Sequence, residues 1–342
     1  MNNTKYIILS LVSLVIFFYT GCNGCDNKAV KNIDATAQIY RFDSLFYSID
    51  KPANLTRSLS QIKSKDPDFY NLYITKLFSM DKEGERFEEV VFSHINSSQN
   101  QEIRKRVEIE FGDFKQVQGD LDLLSKYYKL CYSKRKFPKI YTCYSGFAGF
   151  MAWLYNDSCL LVDLDMYLGD DFEAYPQFYP QFKFTYYDKD YLAQNVGKEL
   201  IRTEFMALEK EKPKHMLALM LIEGAKIYEL SKLMPCREVA KLFEYTPEQW
   251  EWAKREEQNI WKYMIKENLL YESNYKEYRP LVGEAPASLR TGVAQGAPPR
   301  IAIFAGYQIV KKFIEESDVA DTYEMFGKYS PEDILKEAKY KP

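Results

Sequence analysis

The sequence is poor in histidine: among its 342 residues, only His94 and His215 are of this type, and they lie far apart. Because imidazole is the commonest metal ligand in proteins, this count argues against a metal site built on several histidines. A large charge of one sign is also lacking, since the formal net charge at pH 7 is −3. The chain therefore has no general attraction to nucleic acid, which we do not expect as a partner.

Long apolar runs are scarce as well. Lys5 precedes an apolar stretch, residues 6–19, that is too short to span a membrane as a mature helix. Thr20, Gly21 and Cys22 follow it directly. This pattern indicates a secretory signal peptide, and its end resembles the lipobox of bacterial lipoproteins, in which the cysteine is acylated and becomes the new N-terminus. The alternative is an ordinary secretory signal followed by a chance cysteine.

These patterns predict three parts of the chain: a lipoprotein signal peptide (1–21), a lipidated flexible tether (22–36) and a single domain (37–342). An acylated Cys22 would anchor a water-soluble domain in the cell envelope. We expect the outer rather than the inner membrane. Residues 23–26 lack the acidic run that favours surface export, which favours a periplasmic face.

The remaining cysteines contain no Cys-x-x-Cys pair inside the domain, which argues against zinc ribbons and thioredoxin chemistry. If Cys22 is acylated, five cysteines are left. Because five is odd, at least one thiol should be free, although export permits disulfides.

Most of the domain shows helical periodicity, with strong helix starts at Asp66-Pro67 and at the capping box of residues 246–249. Residues 139–144 and 159–164 are β-like runs, with a third between them. We predict an α+β fold that is predominantly helical, with a small antiparallel sheet of three or four strands before a central helix pair. Residues 275–298 lack periodicity and are predicted as a loop.

Two carboxylates, Asp163 and Asp165, end the last β-like run and would share one face of a strand. One interpretation is a polar cluster bordering a cleft, and the other is a solvated face. Residues 169–187, rich in Asp, Tyr, Phe and Pro, follow as a loop that we expect to border this cleft.

The central helix pair covers residues 191–235. Lys198, Glu199 and Arg202 lie in its first helix, and Glu223-Gly224 lies in its second. A zinc peptidase has histidines one turn apart with a Glu between them, and a third ligand from the next helix. Here Lys198 and Arg202 stand at the histidine positions. Since Arg has no lone pair to donate, we predict no metal at this site. We also predict no other cofactor.

Several motifs spread along the chain point to a family. They are a lipobox at Cys22, RFD (41–43), VDLDMYLG (162–169), LIEGAK (221–226), YTPEQW (245–250), IW (260–261) and PPRIA (298–302). Together they resemble the gliding-motility lipoprotein family GldB of the Bacteroidetes. The resemblance implies association with the gliding and type IX secretion apparatus, and thus protein partners in the envelope.

That family is in turn similar to predicted zinc peptidases, so the resemblance implies a zincin-like domain. It assigns Glu199 to the general-base position and Glu223 to the third ligand position, while Lys198 and Arg202 break the pattern. An equally simple interpretation makes Glu199 an ordinary helix carboxylate between two cations.

Three functions remain open. The leading one is a non-catalytic lipoprotein that binds a partner through an inherited cleft, with Asp163, Asp165, Lys198 and Arg202 as candidate cleft residues. The second is an envelope hydrolase acting on peptides or peptidoglycan. Its candidate carboxylates are Asp163, Asp165, Glu199, Glu204 and Glu223, and its candidate sugar-binding aromatics are Trp153, Tyr186 and Tyr187. The third is a scaffold that docks through helices within residues 250–270 and 301–316.

Overall fold

The computed structural model of the protein describes residues 27–77, 86–210, 213–285 and 296–342. The predicted signal peptide and Cys22 lie outside these ranges. Within them, no helix combines the length and the apolar character that crossing a membrane requires.

The helices carry most of the described chain, in agreement with the predicted helical α+β class. They are α1 (Phe42–Phe46), α2 (Pro52–Lys65), α3 (Pro67–Leu72), α4 (Phe87–Ile95), α5 (Ser98–Phe111), α6 (Lys115–Cys131), α7 (Tyr175–Phe178), α8 (Leu192–Lys210), α9 (Met216–Leu233), α10 (Val239–Leu242), α11 (Pro247–Lys266), α12 (Tyr275–Val282), α13 (Ile301–Glu316), α14 (Thr322–Lys328) and α15 (Pro331–Glu337). Short 3₁₀ segments include Asn27–Val30, Leu164–Met166 and Gln181–Tyr186, and a π-helical turn covers Tyr73–Leu77.

The strands form one sheet in the order β1-β2-β4-β3. They are β1 (Ile39–Tyr40), β2 (Lys139–Cys143), β3 (Ala152–Asn156) and β4 (Cys159–Asp163). β1 pairs with β2, and β2 with β4, in parallel, while only β3 and β4 are antiparallel. The prediction of an antiparallel sheet is therefore wrong. Local patterns locate strands but not their partners, and here helices α1–α6 connect β1 to β2, as a parallel pairing requires.

The predicted helix starts are confirmed by side-chain caps. Asp66 accepts a hydrogen bond from the Phe69 N–H at 3.0 Å, and Thr246 forms the predicted capping box with Gln249. The prediction of a loop over residues 275–298 is wrong where α12 forms. This helix forms despite an internal proline, Pro280. This helix has only eight residues, too few to establish a clear period.

The core is organised around the crossing of α9 and α13. A Cβ atom added at Gly224 would lie 2.4 Å from the Tyr307 nitrogen, and one added at Gly306 would lie 1.9 Å from the Met220 oxygen. Because such distances are impossible for real atoms, only glycine permits the two backbones to approach this closely. The close approach offsets the helix propensity that Gly224 costs, about 1 kcal/mol.

The described part of the predicted tether packs on the domain. Val30 is buried, and the Lys129 ammonium donates to the Asp34 carbonyl at 2.8 Å. The packed chain thus begins before residue 37. Among the described cysteines, Cys131, Cys143 and Cys159 are free thiols, as the odd count predicted, and Cys236 is disulfide-bonded.

Candidate functional site

A cleft of about 470 Å³ lies between the β3 edge of the sheet and helices α8 and α9. Met151 and Ala152 line it from the sheet side, and Ile227 and Leu230 from α9. The 3₁₀ segment Gln181–Tyr186 borders its mouth, so the predicted loop does border a cleft. The cleft combines apolar walls with a dense set of charged side chains, the usual make-up of a ligand site.

The structure brings four predicted site residues together in this cleft. Lys198, Glu199 and Arg202 line it from α8, and Glu223 lines it from α9. Helical periodicity explains the first group, since positions three and four residues apart share one face of a helix. The contact between α8 and α9 brings in Glu223.

Glu199 is almost fully engaged by its neighbours. Its Oε2 accepts from the Arg202 Nε at 2.7 Å, and its Oε1 accepts both from an Arg202 terminal nitrogen and from the Leu154 N–H, each at 2.8 Å. Arg202 thus forms a bidentate pair one turn along the same helix, the strongest geometry for a guanidinium. Glu199 thereby joins α8 to the edge strand β3.

Glu223 is engaged through one of its oxygens, Oε1. The Lys226 ammonium donates to it at 2.7 Å, again from three residues along the helix. Each of the two carboxylates in peptidase-like positions therefore faces a cation from its own helix.

Lys198 takes part in a cluster that sequence analysis missed, which we call the triad: Lys198, Glu244 and Arg300. The Lys198 ammonium donates to Glu244 Oε1, and an Arg300 terminal nitrogen donates to Glu244 Oε2 at 3.0 Å. The three side chains are 28%, 17% and 19% exposed. Glu244 and Arg300 adopt left-handed backbone conformations, with φ of 59° and 56°.

The electrostatics of the triad follow from burial and opposing charge. Burial alone would raise the pKa of Glu244, but the charges of Lys198 and Arg300 outweigh it and lower that pKa. Burial lowers the pKa of the Lys198 ammonium, and Glu244 only partly offsets this. Glu244 directly precedes the YTPEQW motif, and Arg300 lies within the PPRIA motif. These positions were the one signal in the sequence that pointed to the triad.

The residues present do not fit a zinc site. Lys198 and Arg202 supply no lone pair, and among the described residues no three His, Cys, Asp or Glu side chains converge. His94 contacts Tyr47, and His215 caps α9 and pairs with Glu332, so each has a structural partner.

Asp163 and Asp165 do not line the cleft, and the interpretation as a solvated face is wrong. Both are fully buried at the end of β4. Asp165 Oδ2 accepts from three successive backbone N–H groups, those of Ser145, Gly146 and Phe147, at 3.0, 2.8 and 3.1 Å. Strand alternation could not reveal this, because the loop after β2 folds over the pair.

Both carboxyls of this acidic pair have a raised pKa. Burial, followed by the charge of Asp165, raises the pKa of Asp163 well above its usual value. Burial also raises the pKa of Asp165, although its hydrogen bonds to Asp163 and to the backbone oppose the rise. The hydrogen bonds that Asp165 accepts hold the loop after β2 in place.

The other residues named for a hydrolase divide between two places. Tyr186 and Tyr187 line the cleft. Trp153 instead packs edge-to-face on Phe150 and Tyr155, and Glu204 pairs with Arg135 at 3.0 Å. Neither Trp153 nor Glu204 belongs to the cleft lining.

The two helices named as docking faces also differ. The apolar side chains of α13 are buried in the core. On α11, Ile265 is half exposed.

Fold and site define a class: a helical α+β protein whose central helix pair lines a cleft with paired charged side chains. Residues 23–342 match the model of the gliding motility protein GldB family, and the chain therefore belongs to this family. No curated protein and no solved structure matches the chain. The match makes it a gliding-motility-related protein, and the "lipo" label of the family agrees with an envelope lipoprotein.

Proposed function

We propose that this chain is a lipid-anchored envelope protein of the gliding and type IX secretion apparatus, and that it binds a protein partner in the cleft without catalysing a reaction. The observation that carries the proposal is the pairing of both peptidase-position carboxylates with cations, Glu199 with Arg202 and Glu223 with Lys226. A general base and a metal ligand each need a carboxylate with a free lone pair facing the reactants.

The same pairs favour binding. Glu199 joins α8 to β3, and both pairs hold the polar wall of the cleft in one arrangement, which lowers the entropy lost when a partner docks. Facing this wall, Phe182, Tyr186 and Tyr187 offer aromatic surface of the kind that dominates protein recognition. Acylation of Cys22 would hold the cleft near the membrane, with the domain on the periplasmic side of the outer membrane.

Complementation of a deletion strain tests the proposal. Phe182 lines the cleft and is 37% exposed, so Phe182→Asp should leave the fold intact and block docking. Ile109→Asp is the matched control, because Ile109 is an exposed apolar residue on α5 outside the cleft lining. We expect Phe182→Asp to lose gliding or protein secretion while the control retains both. Full function of Phe182→Asp would refute cleft binding.

Two further arms test the anchor and the partner. Cys22→Ala should move the protein from the membrane fraction to the soluble fraction. A photo-crosslinking amino acid at position 182 should capture an envelope protein in intact cells, whereas the same group at position 109 should not.

The alternative is a hydrolase, and the presence of Glu199, Glu223, Tyr186 and Tyr187 in one cleft is the observation in its favour. Protein purified without chelator and then offered zinc is assayed for metal by mass spectrometry and for cleavage of peptides and peptidoglycan. Near-stoichiometric zinc, with activity lost in Glu199→Gln, would replace the binding proposal by the hydrolase. We expect neither metal nor turnover.

A further inference from the structure

The charges of the cleft do not balance. Among the described residues, five cations and four carboxylates line it. Three cations pair one-to-one with carboxylates: Arg202 with Glu199 at 2.7 Å, Lys226 with Glu223 at 2.7 Å and Lys183 with Glu284 at 2.8 Å. The remaining two cations, Lys198 and Arg300, share the single carboxylate of Glu244. The excess positive charge therefore lies at the triad.

The triad also holds unused hydrogen-bond donors. An ammonium has three N–H groups, and among the described residues that of Lys198 donates to Glu244 alone. Arg300 donates from one terminal nitrogen, to Glu244 and to the Phe243 carbonyl. A guanidinium has five N–H donors, so further donors remain at Arg300. A partly buried group with net charge and open donors is suited to an anion.

The backbone around the triad is held in place. The Tyr186 hydroxyl donates to the Glu244 carbonyl at 2.6 Å, and the Tyr245 hydroxyl donates to the Pro299 carbonyl at 2.6 Å, beside Arg300. Left-handed conformations in non-glycine residues cost about 1–3 kcal/mol each and persist where the surroundings enforce them. Here the enforced conformations bring the Glu244 carboxylate and the Arg300 guanidinium together. The site is thus organised before any ligand arrives.

We propose that the triad binds a carboxylate group of a peptide segment held in the cleft, through Lys198 and Arg300. This inference rests on the proposed function and names the chemistry that the cleft recognises. A carboxylate carries one negative charge, which balances the excess of one positive charge, whereas a phosphate dianion would leave a surplus of negative charge beside Glu244. Phe182, Tyr187 and Ile227 supply apolar surface for the neighbouring side chain of the peptide.

The test uses the mature protein in detergent and fluorescein-labelled tetrapeptides that end in two apolar residues. One set has free C-terminal carboxylates, a second has C-terminal amides, and a third has amides with one internal Glu. We expect the free acids to bind at least tenfold more tightly than the plain amides in fluorescence polarisation. Equal binding of the third set and the acids would identify a side-chain carboxylate as the source. Inorganic phosphate should compete poorly.

Variants of Lys198 test whether the triad causes the preference for free acids. Lys198→Gln should lose about tenfold in affinity for the acids and most of the preference over amides, and Lys198→Arg should restore part of both. Lys254→Gln is the control, because Lys254 forms a Lys–Glu pair with Glu251 on α11, outside the cleft lining. The comparison of acids with amides uses wild-type protein, so it remains valid even if a variant does not fold.

Two results would overturn the inference: equal affinity for acids and plain amides, or no binding of any set. If Phe182→Asp still abolishes function and position 182 still crosslinks a partner, only the carboxylate site fails. If Phe182→Asp instead retains function and position 182 captures no partner, the proposed function fails as well.

Discussion

Two clusters of carboxylates in this protein reach electrical balance by different means. In the cleft, Glu199 and Glu223 are balanced by cationic side chains from their own helices. In the acidic pair, backbone N–H groups stabilise Asp165, and burial raises the pKa of Asp163. The cleft is open to water, so long cationic side chains can keep their charged heads solvated there. At the end of β4, burial raises the pKa of Asp163 instead.

The comparison shows why a carboxylate in a sequence does not by itself indicate a reactive group. Asp163 has the raised pKa that functional acids often show, yet it lies outside the cleft. Glu199 lines the cleft, yet its oxygens are taken by Arg202 and Leu154. The following substitutions test the two modes of balance.

The largest expected effect is at Asp165. Asp165→Ala leaves the N–H groups of Gly146 and of the buried Phe147 without their acceptor. Each unsatisfied buried donor costs about 1–3 kcal/mol, so we expect a loss of about 3 kcal/mol in the free energy of unfolding. Urea denaturation measures it. The exposed Asp170 provides the control, since Asp170→Ala should change stability by less than about 0.5 kcal/mol. Similar values for both variants would contradict a structural role for the acidic pair.

A smaller loss is expected at the triad. Glu244→Gln removes the carboxylate that pairs with both Lys198 and Arg300. Removing one partner of a fully buried pair costs about 3–5 kcal/mol, and partial exposure should reduce this to about 2 kcal/mol. Added salt should recover part of the loss by screening the repulsion. The exposed pair of Glu251 and Lys254 is the control, because Glu251→Gln should cost less than about 1 kcal/mol.

The third prediction concerns pH. Between the ordinary pKa of an aspartate and the raised pKa of Asp163, the folded protein holds a proton that the unfolded chain has released. Stability should therefore fall as pH rises through this window, by at most about 1.4 kcal/mol per pH unit. Asp163→Asn keeps a neutral polar side chain and should flatten this slope in denaturation curves measured from pH 4 upwards. Parallel slopes in both proteins would show that Asp163 is ionised.

The smallest effect is expected at the cleft wall. Arg202 is 43% exposed, so its pair with Glu199 is partly screened by water. Arg202→Ala should cost no more than about 1 kcal/mol, and a double-mutant cycle with Glu199→Gln should give a coupling energy of the same size. A coupling energy of several kcal/mol would show that this pair is as decisive for the fold as the acidic pair.

Helical periodicity was sufficient to place Lys198, Glu199 and Arg202 on one face, and the caps at Asp66 and Thr246 located helix starts. Both are local features, set by residues three or four positions apart. The sheet pairing was not local, because β1 and β2 are separated by six helices. The triad escaped prediction for the same reason, since its members come from α8, from the residue before YTPEQW and from the residue before α13.

The sequence alone was enough for the predominantly helical α+β class, the cleft-facing set on α8 and the family, because each depends on short-range patterns or on motifs. The tertiary structure decided the parallel pairings, the burial of Asp163 and Asp165 and the excess charge at the triad. Burial and net charge at a site depend on which distant segments meet there. That meeting depends on packing, here above all on the contact of α9 with α13 at Gly224 and Gly306.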